Sequence, residues 1–157
     1  MKGIIIYYSY SGNTKLIADY LSKKYGFDEV MLKPQKDYTN DYDALVNEEE
    51  KKMHDKELVP IENININLND YDIVVLGSPV WWYHIHGTLR TFLNNYNLDD
   101  KKVYAYATNG GWVGDAKKDY EEYVKLIKFL DIPFKGKEIQ IKKEVLDNWI
   151  GVKNGKE

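Results

Sequence analysis

Short apolar runs alternate along this chain with longer segments whose apolar residues recur every three or four positions. The apolar runs predict buried strands and occupy residues 3–8, 27–32, 71–76, 102–107 and 137–141. The segments with helical spacing predict helices and occupy residues 15–25, 37–57, 88–96, 115–130 and 144–152. Strands that alternate in this way with helices form a parallel sheet covered on both faces. The pattern therefore predicts an α/β fold, a three-layer sandwich around a five-stranded parallel sheet.

The predicted helices differ in the strength of their signal. Segment 115–130 has the clearest apolar stripe, formed by Tyr120, Tyr123, Val124, Ile127 and Leu130. Asp131 and Pro133 are predicted to end this helix, because proline disrupts a helix interior. Segment 37–57 is acidic and predicted to be only partly helical, and its Glu-Glu-Glu-Lys-Lys run at 48–52 is interpreted as a solvated face. The lysine-rich tail is expected to fray.

Three loops are predicted to meet at one edge of the sheet. In open parallel sheets a ligand binds beyond the carboxyl ends of the strands, where the strand order reverses. In a 2-1-3-4-5 order the first, third and fourth strands are adjacent, so the loops that follow them lie together. We name them loop 1 (residues 9–14), loop 2 (78–86) and loop 3 (108–114). They are also the loops richest in hydroxyls, glycines and tryptophans.

Composition and charge exclude several classes of protein. The 157 residues, of which 43% are hydrophobic and 30% charged, predict a single domain spanning 1–157. The absence of cysteine excludes disulfides, thiolate metal sites, iron–sulfur clusters and cysteine nucleophiles. A net charge of −3 argues against nucleic-acid binding. No apolar segment is long enough for a signal peptide or a bilayer span, so a cytoplasmic location without membrane insertion is expected.

Loop 1 carries the clearest chemical signal. It joins a predicted strand to a predicted helix, and the N-terminus of a helix attracts anions. Ser9, Ser11 and Thr14 supply hydroxyl donors, and Gly12 lets the backbone approach a bound group closely. A serine-capped helix start is the simpler alternative, but one cap needs one hydroxyl, and this turn has three and an asparagine. Loop 1 is therefore predicted to bind a phosphate.

Loops 2 and 3 predict the other end of the same ligand. Trp81 and Trp82 are adjacent in loop 2, and aromatic side chains at a cleft can stack on a flat ring. One tryptophan of the pair is expected to pack beneath the loop. Loop 3 contains Asn109, Gly110 and Gly111, whose exposed backbone suits the polar edge of a heterocycle, although a plain glycine turn is the alternative. The three loops describe a ligand with a phosphate and a flat aromatic system.

These motifs resemble those of the flavodoxin-like family over essentially the whole chain. Ser-Tyr-Ser-Gly-Asn-Thr at 9–14 looks like the flavodoxin phosphate loop, and Gly-Ser-Pro-Val-Trp-Trp at 77–82 resembles the second loop of one subfamily. The resemblance implies the flavodoxin-like fold in its short-chain form and an FMN cofactor. The residues that it implies for FMN binding lie in the three loops: Ser9, Tyr10, Ser11, Gly12, Asn13, Thr14, Ser78, Pro79, Val80, Trp81, Trp82, Tyr83, Thr108, Asn109, Gly110 and Gly111.

The resemblance also implies roles for these loops. Loop 1 would hold the FMN phosphate, residues 79–82 would line the isoalloxazine and the ribityl chain, and residues 108–111 would address the pyrimidine edge of the ring. The flavin would carry the chemistry, with no catalytic side chain and no metal. The implied function is an FMN-binding electron-transfer protein. Its partners would be redox proteins or a small electron donor or acceptor.

An FMN-dependent NAD(P)H oxidoreductase acting on quinones or similar acceptors is the alternative function. Classical flavodoxins have a glycine beside the flavin in loop 2 and are strongly acidic. In this chain residues 78–86 contain no glycine, and the net charge is only −3. Under this alternative His84 or His86 could assist a substrate. Both are instead interpreted as surface side chains with satisfied hydrogen bonds.

Other classes fit less well. A phosphoacceptor receiver domain needs clustered acids where this chain has Ser9 and Tyr10, and a P-loop NTPase needs a glycine pattern that loop 1 lacks. A metal site at His84 and His86 lacks further ligands nearby in the sequence. A flavin-free binding module stays open, because a fold does not prove an activity.

Overall fold

The computed structural model describes residues 2–36 and 41–151. The strands are β1 (Gly3–Tyr7), β2 (Asp28–Met31), β3 (Ile73–Trp81), β4 (His84–Ile85), β5 (Lys102–Asn109), β6 (Lys128–Lys135) and β7 (Glu138–Ile139). The helices are α1 (Asn13–Tyr25), α2 (Tyr42–His54), α3 (Gly87–Asn95), α4 (Ala116–Glu121) and α5 (Lys143–Asp147), and a 3-10 turn (Leu68–Asp70) precedes β3.

Five of the strands pair in parallel in the order β2-β1-β3-β5-β6. Counted among the parallel strands alone, this is the 2-1-3-4-5 order, and the predicted fold class is confirmed. Two short antiparallel strands complete the sheet: β4, which was not predicted, pairs with the end of β3, and β7, which lies inside the strand predicted at 137–141, pairs with β6. Both turn the chain back at the edge of the sheet where the three loops lie.

Each face of the sheet has its own hydrophobic core, which makes the fold a three-layer sandwich. Alternate residues of a strand point to opposite faces, so Ile4 and Ile6 belong to one core and Ile5 to the other. The first core is covered by α2, α3 and α4, through residues such as Leu45, Phe92 and Tyr120. The second is covered by α1 and α5, through residues that include Ile17, Leu21 and Leu146.

The helix predicted at 115–130 is too long, and the assignment of residues 137–141 as the fifth parallel strand is wrong, because that segment contains only the short antiparallel β7. The helix is α4, which ends at Glu121, and the fifth parallel strand is β6 (Lys128–Lys135). Leu130, Ile132 and Phe134 alternate toward the second core, a period of two that the preceding helical spacing conceals. Ile127 donates its backbone N–H to Val103 O at 2.8 Å, which joins this segment to β5 rather than to a helix.

Pro133 lies inside β6 because its missing N–H is not needed for pairing with β5. Its carbonyl accepts the N–H of Gln140 at 2.9 Å, on the β7 side of the strand. The N–H and C=O of one strand residue point to the same side, so the proline nitrogen also faces away from β5. Prolines are tolerated at such positions near a sheet edge, and Pro133 therefore does not end the element.

Other expectations hold in part. In the acidic helix α2, Glu49 is buried and its carboxylate lies 3.2 Å from Lys52 Nζ, so the charged run is not wholly a solvated face. Residues 37–40 of the segment predicted as partly helical, and the tail at 152–157, lie outside the described residues. No helix among residues 2–36 and 41–151 is long and apolar enough to span a membrane.

Candidate functional site

Loop 1 begins helix α1 without a side-chain cap. The N-cap residue is Gly12, whose φ of 104° is readily adopted only by glycine, and there is no side-chain cap hydrogen bond. Ser9 Oγ instead accepts the N–H of Gly12 at 3.1 Å, inside the turn. The first turn contains no acidic residue. The serine-capped alternative is therefore absent at α1, and the positive end of the helix faces the loop.

Asn13 carries an unsatisfied acceptor at the start of α1. Its Nδ2 donates to Gly136 O at 2.9 Å, a bond that assigns the amide orientation. Its Oδ1 is buried and has no hydrogen-bond partner among the described residues. A buried acceptor of this kind loses free energy unless a donor reaches it. The site therefore has a place for a hydroxyl or another donor from a bound molecule.

A buried pair of hydroxyls joins loop 1 to loop 3. Thr14 Oγ1 and Thr108 Oγ1 lie 2.7 Å apart, and both residues are buried. The phenol of Tyr106 donates to Thr14 O at 2.9 Å from the same strand that leads into loop 3. These bonds hold the ends of β1 and β5 at one edge of the sheet, as the strand order predicts. Loop 3 itself is closed by Asn109 Oδ1, which accepts the N–H of Gly111 at 2.9 Å.

Loop 2 is a tight hairpin between β3 and β4. Trp81 pairs with His84 across it, so Trp82 and Tyr83 are the two central turn residues, with φ of 47° and 72°. Two-residue hairpins usually place asparagine or glycine at such positions. The left-handed conformation costs a larger residue about 1–2 kcal/mol, and such outliers gather at functional sites. The sequence retains two bulky aromatics where the backbone favours neither.

The two tryptophans of loop 2 have different environments. Trp81 is buried, and its ring makes edge contacts with Tyr8, Tyr10 and His86 at centroid distances of 6.3, 5.9 and 4.7 Å. It is the member of the pair that packs beneath the loop. Trp82 is half-buried, packs against the same core as Trp81 and has its ring 6.1 Å from the ring of His54.

Tyr83 and Trp112 form an exposed ring pair between loops 2 and 3. Their centroids are 4.7 Å apart, and the side chains are 42% and 65% exposed. Tyr83 O accepts the N–H of Asp115 at 2.7 Å. Gly114 lies so close below that an added Cβ would be 2.5 Å from Tyr83 O. The backbone of Tyr83 is thus held from beneath while its ring faces solvent.

A buried cluster of charged side chains supports loop 2 from behind. Asp119 accepts the N–H of Ile85 at 3.0 Å and contacts His84 Nδ1 at 3.0 Å. Arg90 Nη2 lies 2.7 Å from Asp119 Oδ1, although the N–H direction is not aligned for a hydrogen bond, so the contact is an ion pair. Arg90 and Asp119 are each 1% exposed. Removal of one charge would leave the other buried without its nearest partner.

His84 and His86 are buried, which corrects the expectation that they are surface side chains. The antiparallel return of β4 carries both residues under the hairpin. His86 is fully buried, stacks on Tyr8 at 4.0 Å and accepts the N–H of Thr88 at 3.2 Å, so it caps α3. Burial lowers the pKa of His86 to about 3. The imidazole is therefore neutral at physiological pH.

The three loops surround one open cleft of about 190 Å³. Predicted site residues that line it are Tyr10, Ser11, Asn13, Pro79, Val80, Trp81, Thr108, Asn109 and Gly110. Ser9, Gly12, Thr14 and Gly111 support the loops around it, whereas Trp82 and Tyr83, the central residues of the loop 2 turn, do not line it. Ser78 is fully buried, where its hydroxyl accepts the N–H of His86 at 2.8 Å and donates to Pro79 O at 2.7 Å.

Phe134 and Gly136 line the cleft although the sequence analysis did not include them. Lys137, which follows them, donates from Nζ to Ser11 O. All three were missed because the start of β6 was predicted as the end of a helix and the fifth parallel strand was placed at 137–141, so the turn after β6 was not recognised as a loop at the carboxyl edge of the sheet. The alternation of Leu130, Ile132 and Phe134 before a Lys-Gly-Lys turn was the signal that could have placed them at this edge.

The sequence matches a family profile described as Flavodoxin over residues 2–153. The chain belongs to the flavodoxin family. A search of curated proteins found no match. Within the described residues no group of three or more His, Asp or Glu side chains could hold a metal ion.

Solved structures of similar proteins share the fold. A candidate flavoprotein from Bacteroides eggerthii DSM 20697 is 24% identical with a TM-score of 0.79, over 97% of this chain and 99% of that one. A flavoprotein from Lactobacillus acidophilus NCFM in complex with FMN is 21% identical with a TM-score of 0.74, over 94% and 97%. A flavone reductase is 15% identical with a TM-score of 0.57, over 94% of this chain and 59% of its own.

Membership of this family supports FMN as the cofactor, and the cleft fits that molecule chemically. The uncapped start of α1 suits an anion such as the phosphate. The buried Oδ1 of Asn13 needs a donor, and the ribityl chain carries hydroxyls. Gly110 has open space where a Cβ would be, which leaves room for a ring against the backbone of loop 3. The residues present therefore fit the group that the family uses.

Proposed function

We propose that the chain acts as one domain, residues 1–157, that binds FMN in the cleft and transfers electrons. Its partners would be redox proteins or a small electron donor or acceptor. The observation that carries this proposal is the convergence of loops 1, 2 and 3 on one cleft, held together by the 2.7 Å bond between Thr14 and Thr108. No single loop would identify the ligand, but the three together have the chemistry of its two ends.

In this proposal loop 1 holds the phosphate. Ser9 Oγ already accepts the N–H of Gly12, so its hydroxyl hydrogen can be donated to a phosphate oxygen. Ser11 and Asn13 line the cleft directly. Thr14 is buried against Thr108, so its side chain shapes the loop while the backbone N–H groups at the start of α1 supply donors. Anions bind favourably at such a helix terminus.

Loops 2 and 3 would hold the ring. Pro79 and Val80 offer apolar surface from the end of β3, and Asn109 and Gly110 offer backbone groups from the end of β5. Trp81 fixes the floor through its contacts with Tyr8 and Tyr10. Bound FMN supplies the redox chemistry, and the protein determines its position, its exposure to solvent and the polarity around it.

The second candidate is an FMN-dependent NAD(P)H oxidoreductase acting on quinones or similar acceptors. The observation in its favour is the exposed ring pair that Tyr83 of loop 2 and Trp112 of loop 3 form at 4.7 Å, on which a planar donor or acceptor could stack. A flavone reductase has the same fold. His84 and His86 do not support this candidate, because both lie buried behind the hairpin.

FMN binding is tested by titrating the purified protein with FMN while recording flavin fluorescence and the visible spectrum. The proposal expects quenching with saturation and a melting temperature that rises with FMN concentration, because a ligand that binds only the folded state stabilises it. A chain that leaves flavin fluorescence and melting temperature unchanged would contradict the proposal.

An anaerobic reduction of the FMN complex distinguishes the two candidates. An electron carrier is expected to pass through a one-electron-reduced spectrum and to react slowly with NADH or NADPH. Fast direct reduction by NADH or NADPH, followed by reoxidation with a quinone, would instead establish the oxidoreductase. The Tyr83→Ala and Trp112→Ala variants then show whether the exposed rings contribute to the reaction with the nicotinamide or the acceptor.

A further inference from the structure

The hairpin between β6 and β7 reaches across to loop 1. Its turn contains Gly136, with φ of 61°, and its strands pair Lys135 with Glu138. Gly136 O accepts the side-chain amide of Asn13 at 2.9 Å. Lys137 Nζ donates to Ser11 O, and it lies 3.6 Å from where a Cβ on Gly12 would be. An ammonium group is therefore held directly at the loop that receives the anion.

Lys137 differs from the other lysine beside this loop. Lys15 is in the first turn of α1, but its ammonium is 2.8 Å from a carboxylate oxygen of Asp19, so its charge is compensated. Lys137 forms no salt bridge among the described residues, and its contact there is the carbonyl of Ser11. An ammonium has three N–H donors. With one on Ser11, two donors and a full positive charge remain for a ligand.

We propose that Lys137 binds the phosphate of FMN and gives the site its preference for FMN over riboflavin. This inference rests on the proposed function. The start of α1 offers backbone donors and a partial positive charge, whereas an ammonium adds a full charge and a charge-assisted hydrogen bond. The buried Oδ1 of Asn13 lies in the same contact and marks this side of the loop as built for a ligand.

Asn13 fixes the position of the β6–β7 hairpin against loop 1. Its Nδ2 holds the turn at Gly136 while the neighbouring lysine reaches Ser11. The turn and loop 1 are therefore joined at two points, one on each side of Gly12. The side chain of Lys137 is held at a defined position before the ligand binds. Phosphate binding therefore costs less side-chain conformational entropy.

The experiment compares Lys137→Gln with the matched control Lys15→Gln, using FMN and riboflavin as separate ligands. Lys137→Gln is expected to weaken FMN binding about tenfold, the size of a partly exposed charged hydrogen bond, and to leave riboflavin binding unchanged. Lys15→Gln should change neither affinity by more than about twofold. Lys137→Arg retains the charge and should restore most of the FMN affinity.

Salt dependence is the second readout. If Lys137 faces the phosphate, raising KCl from about 50 to about 300 mM should weaken FMN binding in the wild type more than in Lys137→Gln, because screening acts on that charge. Equal loss of FMN and riboflavin affinity in Lys137→Gln, or no loss of either, would overturn the inference while leaving FMN binding intact. Failure of the wild type to bind FMN would instead refute the proposed function.

Discussion

Loop 1 and loop 2 border the same cleft but reach their backbone conformations in opposite ways. In loop 1 the left-handed residue is Gly12, and the turn is closed by Ser9. In loop 2 the left-handed residues are Trp82 and Tyr83, which the backbone disfavours. One loop agrees with the local preferences of its sequence, and the other is imposed on residues that do not prefer it.

The difference lies in what supports each loop. Loop 1 is held by hydrogen bonds within its turn, by the contact between Thr14 and Thr108, and by surface contacts from the β6–β7 hairpin. Loop 2 is held by the buried cluster of Arg90 and Asp119 and by the cap that His86 places on α3. Residues that are unfavourable in a turn are retained when the surrounding structure over-determines them and when their side chains serve binding. The comparison predicts that substitutions in the buried residues that support loop 2 lower the unfolding free energy more than substitutions in those that support loop 1.

The largest effect is expected from Asp119→Asn. The variant keeps the shape of the side chain but leaves buried Arg90 with only the more distant and exposed Glu122 at 3.7 Å, and breaking a buried pair costs about 3–5 kcal/mol of unfolding free energy. Glu122→Gln is the matched control, because Glu122 is 41% exposed beside the same arginine, and its loss should stay below about 1 kcal/mol. Urea unfolding measures both, and equal losses would contradict the stated role of the cluster.

The pH dependence of stability tests the support given by His86. Because burial lowers its pKa from 6.5 to about 3, the unfolded chain binds one more proton than the folded chain between these values. The unfolding free energy should therefore fall as the pH falls through this window, by about 2 kcal/mol between pH 7 and pH 5. The His86→Asn variant can still cap α3. Urea unfolding of this variant at pH 7 and pH 5 should no longer show the difference in unfolding free energy that His86 contributes. An unchanged pH dependence would show that His86 is not its source.

A smaller effect is expected in loop 1 from Thr14→Val. The substitution leaves the buried hydroxyl of Thr108 without its partner and should lower the unfolding free energy by about 1–2 kcal/mol. The double variant Thr14→Val/Thr108→Val removes both hydroxyls, so it should lose less than the sum of the single variants. Additive losses in a double-mutant cycle would mean that the 2.7 Å contact does not couple the two loops energetically.

The smallest effect on stability is expected from Trp82→Asn/Tyr83→Gly, which introduces a preferred hairpin turn. Lost ring contacts of about 0.5–1.5 kcal/mol each beyond area burial, together with the apolar area that half-buried Trp82 buries against the core, are offset by relief of the left-handed conformations, about 1–2 kcal/mol per residue. The net change should be below about 1 kcal/mol, while FMN affinity falls. A large loss of stability with unchanged FMN affinity would show that the rings of Trp82 and Tyr83 stabilise the fold and do not serve binding.

Much of the site could be predicted from the sequence because its residues are local in the chain. Loop 1 shows its hydroxyls and glycine in six consecutive positions, and the aromatic pair of loop 2 is adjacent. The burial of Ser78, His84 and His86 could not be predicted in this way. It follows from β4, a two-residue strand whose pairing with β3 depends on an unfavourable turn that turn preferences argue against.

By itself the sequence determined the α/β class, the first four parallel strands and the polar loops that follow three of them, because apolar period and turn chemistry are properties of short segments. Only the tertiary structure decided the chain after residue 121. There a helical spacing at Tyr120, Tyr123 and Val124 leads directly into β6, and pairing with β5 selects the strand over the helix. That choice puts Gly136 and Lys137 against loop 1. Contacts between residues more than a hundred positions apart, which no local pattern encodes, therefore complete the cleft.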